Sequence, residues 1–86
     1  MKEKRLRSHQ IIVTINRRNP ASLVEVSEIT GIPLSTLKRR MAEITDEFGI
    51  EFDRATLSDG ASRWFISDWG WVNKAMYLAR FSDVLA

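Results

Sequence analysis

A chain of 86 residues is one domain, and one of this size buries only about 60 to 65% of its unfolded surface, leaving no room for an elaborate active-site cavity. With 44% hydrophobic and 28% charged residues the composition is globular, no apolar run approaches the roughly 18 residues of a membrane span, and zero cysteines exclude disulfides and thiolate metal sites, which fits a reducing cytoplasm. The net charge of +2 conceals an asymmetry: residues 1–40 hold nine Lys or Arg against three acids, and residues 41–86 hold four against eight. One end of the molecule therefore attracts polyanions, unless the basic residues form only a solvated helix face.

The basic start, MKEKRLRSHQ, has no continuous apolar segment followed by small residues, so it is not a secretory signal. Leu6, Ile11, Ile12, Val13 and Ile15 cluster on roughly helical spacing and predict a first helix from Lys4 to Arg18, closed by Asn19-Pro20. Ser22 and Glu25 fit a capping box, and Val26 and Ile29 continue a second helix to about Thr30. Gly31 suits a left-handed exit, and Ile32-Pro33 prevents immediate continuation. Leu34, Leu37, Met41, Ile44 and Phe48 then form one apolar stripe on a third helix, from about Ser35 to Phe48, ending at Gly49.

Ile50 to Arg54 alternates as a half-buried strand does, Arg63 to Ile66 is aromatic and branched, and Ser58-Asp59-Gly60 between them is a hairpin turn. Pairing Leu57 with Ala61 across a three-residue loop sets Phe52 opposite Ile66, with Trp64 on the same side. A fourth helix is expected from about Asp68 to the end, capped by Ser67 or Asp68. The fold class is thus mainly α with a small β-hairpin: a winged helix-turn-helix of three core helices, a two-stranded wing and an additional C-terminal helix. Residues 1–86 form one such domain, with the helix-turn-helix at about 22–48, the wing at 50–67 and the last helix at 68–86.

The segment SLVEVSEITGIPLSTLKRRMAEI, Ser22 to Ile44, resembles the helix-turn-helix of bacterial winged-helix repressors of the isocitrate-lyase-regulator (IclR) type. Leu23-Val24-Glu25-Val26-Ser27 matches their "L-x-E-(I/L)-A" helix, Thr30-Gly31-Ile32-Pro33 their "(T/A)-G-(L/I)-P" turn, and Ser35 to Met41 their "S-T-(V/L)-x-R-x-(L/M)" helix. Arg63-Trp64-Phe65-Ile66 stands where a "(R/K)-Y-x-L" strand is usual. The resemblance spans about a quarter of the chain and implies operator binding. The large effector domain of those repressors has no counterpart here, so ligand sensing does not carry over.

Chemistry on the third helix agrees. At about 100 degrees per residue, Arg39 and Ser35 lie opposite the apolar stripe, flanked by Thr36 and Lys38, while Glu43, Asp46 and Glu47 occupy the last turns and repel phosphate. Only the N-terminal half of that helix is expected to enter a DNA groove. Arg39 is the candidate for a bidentate contact to guanine, Ser35 and Thr36 for a phosphate at the positive helix end, and Lys38 and Arg40 for flanking phosphates.

Arg54 and Arg63 are the wing candidates. In the same register Arg54 opposes Trp64 and Arg63 lies diagonal to Asp53, so stacking and ion pairing are their competing roles. Lys2, Lys4, Arg5 and Arg7 are either an N-terminal arm on the phosphates or a frayed terminus, and Arg17 and Arg18 suit the dipole at the end of the first helix. On the last helix Val72, Ala75, Met76 and Ala79 form one apolar face and Trp71, Leu78, Phe81 and Leu85 another. The first face is expected to bury against the domain; the second, Trp71, Leu78, Phe81 and Leu85, needs a partner, for which a twofold dimer is the commonest solution, or both pack within the monomer.

The single histidine, His9, reads as a surface or boundary residue, no phosphate-binding glycine loop is present, and no carboxylates pair as acid and base, so catalysis is not expected. No cofactor, metal, membrane contact or small-molecule effector is implied. The expected function is sequence-specific binding of double-stranded DNA by a small cytoplasmic, nucleoid-associated prokaryotic or phage transcription regulator acting as a homodimer. An accessory factor in phage or plasmid recombination or replication, and a winged helix used as a protein-interaction module, are the alternatives.

Overall fold

The structure, a computed structural model, describes residues 3–58, 60–81 and 83–84, with side chains from residue 6 onward. Six elements follow in the order α1 (Glu3–Arg18), α2 (Leu23–Thr30), α3 (Leu34–Phe48), β1 (Glu51–Thr56), β2 (Ser62–Asp68) and α4 (Lys74–Phe81). The chain is thus a small α+β fold with four helices and a two-stranded antiparallel hairpin among the described residues.

α1 is the centre of the molecule. Ile11, Ile12, Val13, Thr14 and Ile15 are all buried, and five consecutive helical residues point in every direction, so this helix is covered all round. α2, α3, β2 and α4 each pack against it. α2 opens on the expected capping box: Ser22 Oγ accepts from the Glu25 amide at 3.1 Å, and Glu25 Oε1 accepts from the Ser22 amide at 3.3 Å. It closes on Gly31, whose φ of 75° needs a residue without a Cβ, and whose amide donates to Ser27 O.

The turn between α2 and α3 is held by side chains. Ser27 Oγ donates to Ile32 O at 2.7 Å, Thr30 Oγ1 donates to Val26 O at 2.6 Å, and the Ile32 amide donates to Thr30 Oγ1 at 3.3 Å. Arg7 Nη1 adds a bond to Thr30 O at 2.6 Å, tying α1 to the end of α2. These contacts fix the angle at which α3 leaves, with Leu37, Met41 and Ile44 turned into the core.

The hairpin has the register expected from its loop. Leu57 N donates to Ala61 O, Phe52 pairs with Ile66 and Arg54 with Trp64, and Phe52, Trp64 and Ile66 pack on the core from one face of the ribbon. A two-way bridge between Ala21 and Trp64 (2.8 and 2.7 Å) fastens the outer edge of β2 to the segment joining α1 and α2.

The last helix differs from expectation. It begins at Lys74, not Asp68, because β2 runs on through Asp68. Ser67 falls in a bulge and its hydroxyl donates to Glu51 O; Asp68 Oδ1 accepts from the Gly70 amide, capping a turn rather than a helix. Asn73 is the cap, its Oδ1 accepting from the Met76 amide at 3.1 Å. In between, Gly70 (φ 59°) lies so close to Gly49 that a Cβ built on it would fall 2.3 Å from the Gly49 carbonyl. This crossing over the end of α3 sends α4 back onto α1.

Candidate nucleic-acid interface

α3 starts on Pro33, which has no side-chain acceptor to offer, so no side chain caps its first amides. Ser35 and Lys38 are exposed on the first two turns and Thr36 is half-buried. Arg39 stands outward with 69% of its side chain exposed, as the burial of Leu37, Met41 and Ile44 behind it requires. Arg40 is held closer, with 21% exposed. Both guanidinium groups reach back to one carboxylate: Arg39 Nε lies 3.9 Å from Glu43 Oε1 and Arg40 Nη1 lies 3.6 Å from Glu43 Oε2. The spacings i,i+4 and i,i+3 made this legible in the sequence, where Glu43 figured only as a repulsive charge.

A groove of about 540 Å³ separates α3 from the hairpin, lined by Lys38, Met41, Ala42, Thr45, Phe52, Asp53, Arg54 and Trp64. Lys38 from the helix and Arg54 from β1 thus share one opening. The Arg54 guanidinium carbon is 5.8 Å from the Trp64 ring centroid, so Arg54 stacks while its charge stays exposed. Arg63 pairs with Ala55 on the opposite face of the ribbon and does not line the groove.

Of the basic N-terminal residues, Lys2 lies outside the described residues. Lys4 and Arg5 belong to α1, with side chains outside the described set; Arg7 is committed to Thr30 O. Arg18 Nε lies 3.9 Å from Glu25 Oε2, a loose link between α1 and α2.

His9 is buried, not a boundary residue. Its Nδ1 lies 2.6 Å from the Tyr77 hydroxyl, and its ring stacks on Phe81 with centroids 3.9 Å apart and planes 14° from parallel. Burial pushes the Tyr77 phenol well above its ordinary range, so in the folded chain it stays protonated into alkaline solution. Tyr77 was missed in the sequence because it fell on neither expected apolar face of the last helix. Of the residues expected at a dimer interface, Leu78 and Phe81 instead pack on the chain's own core, where Phe81 stacks on the buried His9. Trp71 is 77% exposed, and Leu85 lies outside the described residues. Met76, assigned to the inward face, is 72% exposed.

Among the described residues no three His, Cys, Asp or Glu side chains gather as a metal site, and no helix is long and apolar enough to cross a membrane. The arrangement is that of a small α+β domain presenting a basic helix start beside a hairpin.

No protein-family model matches the chain, and no curated protein matches it. The fold is similar to the crystal structure, at 2.50 Å resolution, of a DUF2131 family protein from Shewanella amazonensis SB2B, with a TM-score of 0.77 and 21% identity over 99% of this chain and 91% of that one. Identity at that level carries the fold alone.

Proposed function

We propose that this chain is a winged helix-turn-helix domain that binds double-stranded DNA, with the N-terminal half of α3 in the major groove and the hairpin as the wing. The observation that carries the reading is the outward Arg39 on the uncapped start of α3, beside a groove whose two cations, Lys38 and Arg54, come from helix and hairpin. A duplex edge lying in that groove meets cations on both sides, and the acids Asp46 and Glu47 sit at the far end of α3, away from the entry. The Ala21–Trp64 bridge supports the winged layout that the IclR-type resemblance implies, because it ties the hairpin to the segment that leads into the helix-turn-helix.

Within this reading Arg39 hydrogen-bonds a guanine edge, Lys38, Arg40 and Arg54 neutralise phosphates, and Ser35 and Thr36 present their hydroxyls to the backbone. A transcription regulator acting as a homodimer is the biological role that fits, with Trp71 and Met76 as the exposed apolar pair available for the second copy. Titration of the protein against mixed-sequence duplex at several salt concentrations tests the proposal. Binding should fall steeply between about 50 and 200 mM salt, and Lys38→Ala should lower the slope of log affinity against log salt by about one. Undetectable binding at low salt would remove the DNA reading in favour of a protein-interaction module.

A further inference from the structure

We infer that Leu34 is a sequence-reading residue whose side chain receives the C5-methyl group of thymine, so that the site prefers duplex DNA carrying T·A pairs at that position. The inference rests on the DNA-binding reading above and adds to it a second reader of opposite chemistry to Arg39.

The periodicity of α3 assigns Leu34 to the buried stripe with Leu37, Met41, Ile44 and Phe48. The structure takes it out: Leu34 is 48% exposed and, unlike Phe48, is not packed on the core. The cause is its place as the first residue of the helix, directly after Pro33. Helical Cα–Cβ bonds tilt toward the N-terminus, and at the first position no preceding turn lies there to cover the side chain. Leu34 therefore projects from the same end of α3 that presents Ser35 and, one turn on, Lys38.

An apolar protein surface docking at this point would have to bury those neighbours, and the exposed Arg39, against itself. A duplex meets them with phosphates. Of the groups that a major groove displays, the purine N7 and carbonyl acceptors and the amino donors are polar, and the thymine methyl alone is apolar. Leucine has nothing to donate or accept, so pressing it on any other base edge strips that edge of water without replacing the hydrogen bond. The other exposed large apolar residues, Val24, Ile29, Leu57, Trp71 and Met76, lie on other elements, which leaves Leu34 as the apolar member of the reading helix among the described residues. The same chemistry discriminates against duplex RNA, which lacks the methyl group and has a major groove too narrow for a side chain to read.

The test isolates the methyl group. The full chain is used to select a preferred duplex from a random-sequence pool, and the recovered duplex is then synthesised with thymine or with deoxyuridine throughout. The deoxyuridine form should bind the wild-type protein more weakly, by roughly fourfold for each methyl group contacted. Leu34→Ala should narrow the difference between the two forms, while Ile29→Ala, at an exposed apolar residue of α2, keeps the wild-type ratio. Arg39→Ala should weaken both forms and leave their ratio unchanged. Equal wild-type affinity for the two duplexes, with steep salt dependence retained, overturns the assignment of Leu34 and leaves the DNA reading intact. Absence of binding to either duplex overturns the DNA reading itself.

Discussion

Arg39 and Glu43, one helical turn apart on α3, approach to 3.9 Å, and the same carboxylate comes within 3.6 Å of Arg40. The acid therefore restrains two cations that the proposed interface needs. The pair with the exposed Arg39 contributes only about 0.3 to 0.5 kcal/mol, and in Glu43→Gln the neutral amide oxygen can still face the half-buried Arg40, so the melting temperature should change little. Its effect on DNA should be larger, because both guanidinium groups are released and one negative charge facing the phosphates is removed. Affinity for mixed duplex at low salt should rise about threefold to tenfold, in line with a rim charge acting through long-range attraction. Unchanged or weaker binding in a fluorescence-anisotropy titration would show that Glu43 does not compete with phosphate for Arg39 and Arg40.

Tyr77 locks α4 to the centre of the molecule through the 2.6 Å contact of its hydroxyl with His9 Nδ1. Tyr77→Phe keeps the ring contacts to Trp69 and Phe81 and removes only that bond, which should cost about 1 to 2 kcal/mol in chemical denaturation. The phenol also makes stability depend on alkaline pH. Its acid form is favoured in the folded state, so above the ordinary tyrosine value of 10.0 the unfolded chain gives up a proton that the folded chain keeps. Stability from this group is complete below about pH 10 and declines as pH rises past it. Because Tyr77 is the single tyrosine, tyrosinate absorbance should emerge together with unfolding, and the Phe variant should lose this part of the alkaline slope. Ionisation in the folded state near the ordinary value would contradict the burial argument.

These two pairs also mark what the sequence could and could not disclose. The Ser22–Glu25 box, the Leu57–Ala61 closure and the outward direction of Arg39 each depend on residues a few positions apart, where spacing alone decides geometry. His9 and Tyr77 are 68 positions apart, and nothing local to His9 announces a phenol. The start of α4 was obscured for the same reason: Asp68 has the chemistry of a helix cap, yet the contact between Gly70 and Gly49, fixed by the tertiary path, makes it cap a turn. Leu34 is the converse case, a residue whose period says core while its place at a helix end says otherwise.

The crossing at Gly70 should tolerate no side chain. An alanine there would adopt a φ of 59° and place its Cβ 2.3 Å from backbone atoms of Gly49, which have no rotamer by which to retreat. Left-handed strain alone costs about 1 to 3 kcal/mol, and the clash adds to it, so Gly70→Ala should lose at least ~2 kcal/mol. The variant separates fold from function: it acts where the path into α4 crosses the C-terminal end of α3, away from the helix start proposed to enter the groove, so the protein that remains folded at low temperature should keep its DNA affinity. A loss below about 1 kcal/mol in urea unfolding would mean that the two backbones can part easily.

Trp71 and Met76 stand exposed where α4 begins, and the proposed homodimer depends on them. The two residues call for different substitutions, because the Trp71 ring also covers Gly49, whose virtual Cβ would lie 3.3 Å from it. Trp71→Ala therefore mixes a packing loss with any loss of association. Met76 is freer, and Met76→Lys places a charge on the surface with an expected stability change within about 0.5 kcal/mol. If the second copy seats here, light scattering should give twice the chain mass for the wild-type protein and the chain mass for Met76→Lys at the same concentration, since burying an unpaired ammonium opposes the contact on both sides of a twofold axis. DNA binding would respond in parallel, with the wild-type protein occupying paired half-sites and the variant binding single half-sites independently. A wild-type chain that stays monomeric at every concentration, free or on DNA, would leave α4 as a brace for α1 and remove the dimer from the proposed function.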